Sequence, residues 1–167
     1  GIVVELDIDK DFKKYEEYGP LKGLEFQKDL EKISFYAGGR SQTAPAQRVT
    51  DFVEGRLSSS LNDTSYQPGL NSAPLHSLLP KTIGSRLRKG FMAFGKKMNG
   101  YYSEEANIIG VESRTSSPIN IPRNENLEHI HIKGLFPCGE GGGYAGGIVS
   151  AAMDGERCAE AAIKMYK

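Results

Sequence analysis

The apolar positions of this chain change period several times, and each change marks an element. Ile2, Val3, Val4, Leu6 and Ile8 are β-branched or aliphatic with partial alternation, which predicts a strand. After the Gly19-Pro20 breaker, Leu24 or Phe26, Leu30, Ile33 and Ala37 recur at helical spacing and Gly38-Gly39 supplies the stop, so a helix of about four turns is predicted. Arg40 to Asn71 is polar and turn-rich, with Val49, Phe52 and Val53 reading as a short helix or strand and Leu57 to Ser65 as loop. A connection of that length points to a functional or interface role. Leu75 to Leu79 gives one turn before Pro80. From Lys81, the positions Ile83, Leu87, Phe91, Phe94 and Met98 step by three or four, a second helix apolar on one face and closed by Gly100. Asn107 to Glu112 and Ile119 to Ile121 read as short strands, and another ends at Phe136. Ile148, Ala151, Ala152, Gly155, Cys158, Ala159, Ala162 and Ile163 line one side of a last helix, mostly with small side chains suited to close packing. The pattern is that of a mixed α and β chain, with its middle helical region inserted between sheet elements.

Between the strand ending at Phe136 and the last helix lies GEGGGYAGG, in which six of the nine residues Gly139 to Gly147 are glycine. A strand, a glycine turn and a helix in that order bring bare backbone N–H groups and a positive helix terminus to one point, where a phosphate or another electron-rich group docks. Gly141, Gly143 and Gly146 formally satisfy GxGxxG. A complete dinucleotide fold also needs a second strand and an acidic ribose-binding residue about 20 positions further on, so other residues must finish this pocket. Glu140, at the end of the strand, either accepts hydrogen bonds from ligand hydroxyls or caps nearby N–H groups.

Composition narrows the picture. At 167 residues the chain is one domain, or one domain plus a piece of another. Acidic and basic residues balance at 21 each, so no global field favours nucleic acid or an anionic membrane. Arg86, Arg88, Lys89, Lys96 and Lys97 fall mainly opposite the apolar stripe of the second helix and read as a solvated face. No apolar run approaches the 18 residues or so of a membrane span, and no leader pattern is present, so a cytoplasmic location is expected. Cys138 and Cys158 are the two cysteines, read as reduced thiols rather than a disulfide scaffold. The opening Gly-Ile-Val-Val-Glu-Leu, without methionine, suggests a strand cut from a longer parent.

Other candidate chemistry is local. Arg114 with Thr115, Ser116 and Ser117 places a cation beside three hydroxyls in a turn closed by Pro118, either an anion or substrate contact or a structural ST-turn. Gln47-Arg48, after Ala44-Pro45-Ala46, carries a fainter suggestion of the same kind. Asp7, Asp9 and Asp11 lack the glycine and distal glutamate of a calcium loop and read as a solvated strand end. His129 and His131 share a face if on a strand, without the further ligands a metal needs. No metal site is expected.

The strings APAQRV (Ala44 to Val49), GVESRTSSP (Gly110 to Pro118) and GLFPCGEGGGYAGGIVSAAMDGERCAEA (Gly134 to Ala161) together resemble the C-terminal part of a family of bacterial FAD-dependent dehydrogenases. The resemblance implies residues 1–133 as the larger part of an inserted, substrate-facing domain and residues 134–167 as the terminal strand–glycine turn–helix of a split FAD-binding Rossmann-type domain. It implies FAD as cofactor in the full-length parent, with Gly139, Glu140, Gly141, Gly142, Gly143, Tyr144, Ala145, Gly146, Gly147 and Ile148 as cofactor-binding. Glu140 would bond the ribityl chain. It raises Gln47, Arg48, Arg114, Thr115 and Ser116 as contacts to an unidentified small-molecule substrate. The implied partner is the N-terminal half of the FAD domain, with a homo-oligomer left open, and the isolated fragment is expected to be inactive and not to retain FAD. A non-enzymatic phosphate-ligand-binding or assembly module is the competing reading, and an RNA-binding module using the second helix a weaker third.

Overall fold

The structure, a computed structural model, describes residues 1–165; the last two positions of the 134–167 piece lie outside the described residues. Six α-helices and three short strands occur among them, so the chain is mixed α and β. It divides into two compact units, Gly1–Lys14 with Phe26–Ser113, and Tyr15–Glu25 with Arg114–Lys167.

In the first unit, α1 (Ile8–Asp11) takes the place of the strand expected from Ile2 to Ile8. The aspartates decide this. Asp7 caps the helix by accepting from the N–H groups of Asp9 and Lys10 at 3.0 and 3.2 Å, and Asp11 returns a carboxylate to the Asp7 N–H at 2.8 Å. Arg86 then donates to Asp11 and to the Glu5 carbonyl, both at 2.9 Å, so Asp7 and Asp11 belong to a helix start rather than a solvated strand end. A segment of 3-10 turns (Lys13–Leu21), broken at Tyr15 and Gly19, leads into α2 (Lys22–Ala37), the helix that the spacing predicts. Gly39, at φ 92°, ends it, and the Arg40 N–H reaches back to the Phe35 carbonyl.

The sheet has β1 (Ala44–Arg48) at its centre, parallel to β2 (Leu70–Ser72) and antiparallel to β3 (Asn107–Ile109), with Ala46 opposite Ser72 on one side and Ile109 on the other. A central proline is unusual because it cannot donate to a ladder. Pro45 is tolerated because it lies just past the last β1–β3 pair and only its carbonyl is used, accepting from Gly110 at 3.0 Å. The β1-to-β2 crossover passes through α3 (Val49–Glu54), which closes on Gly55 in the left-handed region at φ 76°. α4 (Leu75–Leu78) and α5 (Lys81–Lys97) follow, the latter burying Ile83 and Phe91. Phe52 and Phe91 meet edge to face at 5.8 Å, and with Ala46, Val49 and Leu75 they form the centre of this core.

The second unit holds α6 (Ile148–Met165), as expected from its small-residue face. The strands expected at Ile119–Ile121 and ending at Phe136 are not formed. Ile121 instead donates to the Gly142 carbonyl at 3.1 Å, so its backbone is spent on the glycine turn. His129 and His131 do not share a strand face either: the Nδ1 of His129 accepts from the N–H groups of His131 and Ile132 at 3.1 and 3.0 Å and bends the chain, leaving an isolated bridge to Arg123.

Candidate functional site: the glycine turn

The turn is built on α6 and on the stretch from Ser117 to Arg123, all within the second unit. Gly139 at φ 68° and Gly143 at φ 83° set its two reversals, closed by bonds from Gly143 N–H to the Glu140 carbonyl at 2.9 Å and from Tyr144 N–H to the Gly139 carbonyl at 3.0 Å. Arg123 and Asp154 brace it. Their side chains are nearly buried and pair bidentately at 2.7 and 3.0 Å, while Arg123 also donates to the Pro137 carbonyl at 2.8 Å and Asp154 accepts from the Gly139 N–H at 2.9 Å. The guanidinium lies 3.6 Å from the centre of the Tyr144 ring, and the Tyr144 hydroxyl donates to the Ile121 carbonyl at 2.7 Å. The Arg123 hydrogen bonds, and with them the Gly139 N–H, hold the Asp154 carboxyl below its usual value against burial, which raises it. Arg123 and Asp154 escaped the sequence reading because they stand 31 positions apart with no motif joining them. The small-residue helix carrying an internal aspartate was the available signal.

The glycines of the run separate into two groups. A side chain at Gly142 would press on the Cys138 backbone at 3.1 Å, tighter than an ordinary contact, and one at Gly143 would collide with the Ile119 carbonyl at 2.5 Å, so protein packing favours glycine at the first and requires it at the second. At Gly141 and Gly146 a Cβ would meet nothing within 4 Å, and neither has a positive φ. This chain's own packing therefore gives no reason for glycine there. Gly147 makes only ordinary contact with the Ser150 hydroxyl, and Ile148 begins α6 with its side chain 91% exposed. The half-buried Glu140 side chain makes no hydrogen bond among the described residues, so it does not cap the turn.

Comparison with known proteins identifies the chain. The family described as "FAD-dependent protein, C-terminal domain-like" matches residues 1–115. The chain belongs to this FAD-dependent protein family, as a C-terminal portion. It is also 43% identical over 149 residues, 88% of its own length, to an uncharacterized protein of Clostridium beijerinckii (strain ATCC 51743 / NCIMB 8052), of which the match spans 28%. The chain thus covers little more than a quarter of that relative.

The family match takes in Gln47, Arg48, Arg114 and Thr115, and ends before Ser116 and the glycine turn. Gln47 is wholly buried: its Nε2 donates to the Arg56 carbonyl and to His76 Nδ1, while its Oε1 accepts from the His76 N–H at 3.1 Å. Burial, and then Arg88, hold the His76 ring below its usual value, in keeping with an Nδ1 that must accept. Arg48 points elsewhere. Its Nε and Nη2 donate to the Ser60 carbonyl and hydroxyl at 2.9 and 2.8 Å, and among the described residues it has no carboxylate partner. It lines a cavity of about 340 Å³ with Thr50, Asp51, Arg56, Leu57, Ser59 and Glu104. Gln47 and Arg48 lie in the first unit; Arg114, Thr115 and Ser116 are exposed residues of the second, where the neighbouring Ser117 hydroxyl approaches the Gly141 carbonyl at 3.4 Å. No group of three or more His, Cys, Asp or Glu residues suited to a metal, and no helix long and apolar enough to cross a membrane, occurs among the described residues.

Proposed function

We propose that this chain is the C-terminal part of a cytoplasmic FAD-dependent oxidoreductase, and that its glycine turn contributes to the flavin site of the full-length parent. The observation carrying this reading is the pair Gly141 and Gly146, bare where the chain itself has nothing to make room for. Backbone left open on one side is what the close approach of a planar cofactor and its pyrophosphate requires. The donor set fits: the N–H groups of Gly141, Gly146 and Gly147, which the turn's own bonds leave unused among the described residues, the positive start of α6, and a Glu140 carboxylate free to accept from ribityl hydroxyls. A bound flavin supplies hydride or electron transfer. The chain's part is to hold and orient it, with Arg123 and Asp154 fixing the turn and the α6 terminus favouring negative charge beside the ring.

On this reading residues 134–167 complete a split Rossmann-type domain whose N-terminal half is the missing partner. The exposed Ile148 and Val149 then pack against that half. Residues 1–133 form the substrate-facing insertion, with 114–133 bracing the turn. The substrate contact falls to Arg48, which lines the cavity of the first unit and is held there by Ser60, while Gln47, inside β1, serves the fold through its bonds to His76 and Arg56.

The visible absorption spectrum of the full-length parent, after adding and washing out FAD, tests the proposal. Retention of a flavin band, with at least a tenfold weaker hold in Gly146→Val or Glu140→Ala, is the expected result. A folded parent that retains no flavin would overturn it, and would favour the phosphate-binding or assembly module instead.

A further inference from the structure

Cys138 sits between two anchors on one helix face. The carbonyl before it, of Pro137, accepts from Arg123 at 2.8 Å and from the Cys158 thiol at 3.8 Å, and the N–H after it, of Gly139, donates to Asp154 at 2.9 Å. Asp154 and Cys158 stand one turn apart on α6, so the backbone of Cys138 is pinned along the face that carries the second cysteine. Cys138 is exposed and Cys158 is 3% exposed. Both are free thiols, and the chain has no others.

We propose that Cys138 and Cys158 form a dithiol site that reacts with oxidants of the peroxide class and closes to an intramolecular disulfide. Cys138, the accessible thiol, reacts first: its sulfur attacks the peroxide, an S–O bond forms as the O–O bond breaks, and an alcohol or water leaves. The Cys158 thiol then attacks the sulfenic acid, forming the S–S bond, breaking S–O and releasing water. Two electrons pass from the thiols to the peroxide, and the thiol protons leave in the hydroxyl products. Burial pushes the Cys158 thiol up, opposed by the Arg123 guanidinium, whose Nη1 donates to the sulfur at 3.3 Å and favours the thiolate as it attacks. The Pro137 carbonyl, one residue before Cys138, lies 3.8 Å from the Cys158 sulfur, which keeps the two cysteines in one neighbourhood.

The test is oxidation of the reduced 167-residue chain with hydrogen peroxide, followed by intact mass and peptide mapping. The expected result is loss of both thiols together, a mass lower by about two hydrogens, a Cys138–Cys158 cross-linked peptide, and a rate independent of protein concentration. In Cys158→Ala the Cys138 sulfur proceeds instead to higher oxidation states. Because the cysteines are only 20 positions apart, the same oxidation in strong urea measures the contribution of chain proximity alone; pairing at least tenfold faster without urea is expected. Equal rates in both conditions, cross-linking between chains, or sulfinic acid at Cys138 with Cys158 still a thiol would each overturn the proposal.

Discussion

Asp154, Pro137, Cys158 and Tyr144 all meet the Arg123 guanidinium, which gathers the flanks of the glycine turn at one point. Removing one partner of such a nearly buried pair leaves the other uncompensated, at a cost of about 3–5 kcal/mol. Arg123→Ala and Asp154→Ala should each lower the urea midpoint accordingly, with little further loss in the double variant. Asp154 also predicts an acid dependence. Its folded value lies below the 3.8 of a free aspartate, so its stabilisation is complete above about pH 4 and is lost as the pH falls through the lowered value. The stability gap between wild type and Asp154→Asn should therefore be widest at neutral pH and shrink as the pH falls below about 4 in parallel denaturation curves. His76 is the counterpart in the first unit. Burial lowers it from 6.5, so the unfolded chain takes the proton first and stability declines as the pH drops from about 6.5 toward the folded value. An NMR titration should place the His76 midpoint below 6.5, and Gln47→Leu, which removes both the donor to Nδ1 and the acceptor of the His76 N–H, should cost about 2–3 kcal/mol. A midpoint above 6.5 would contradict the Gln47–His76 geometry. Neither pair was legible beforehand, because hydrogen-bond partners 29 and 31 positions apart leave no periodic trace.

At the scale of elements, long periodic segments were readable and short apolar ones were not. The helices α2, α5 and α6 form where their spacing predicts; α2 buries Phe26 and Leu30 and α5 buries Ile83 and Phe91, whereas α6 buries Asp154 and Cys158 and leaves Ile148 and Ile163 exposed. The stretch Ile2 to Ile8 has strand-like composition, but Asp7 offers a local cap that wins over propensity where no ladder forms. Ile119 to Ile121 likewise spends its N–H on the turn. Within the glycine turn, geometry separates residues that composition presents as equivalent. Gly143→Ala meets the Ile119 carbonyl at 2.5 Å in a left-handed conformation, and should destabilise by about 2 kcal/mol or more. Gly141→Ala and Gly146→Ala should stay within about 0.5 kcal/mol when all three variants are compared by thermal unfolding. A large loss at Gly146 would mean that it serves the fold after all.

For the whole molecule, the composition reading excluded a global electrostatic role, and the family match places the chain in an FAD-dependent family. The fold of its first 115 residues could not be foreseen from the order of elements, because the sheet joins β1, β2 and β3 across long connections that carry α3, α4 and α5. That sheet has a consequence for how the molecule breathes. β1 alone is bonded along both edges, with Ala46 and Gln47 sealed from solvent, while β2 and β3 each leave one edge unpaired. In deuterated water the amides of β1 should be the last of the first unit to exchange, reporting its global opening, and those of β2 and β3 should exchange earlier through local fraying.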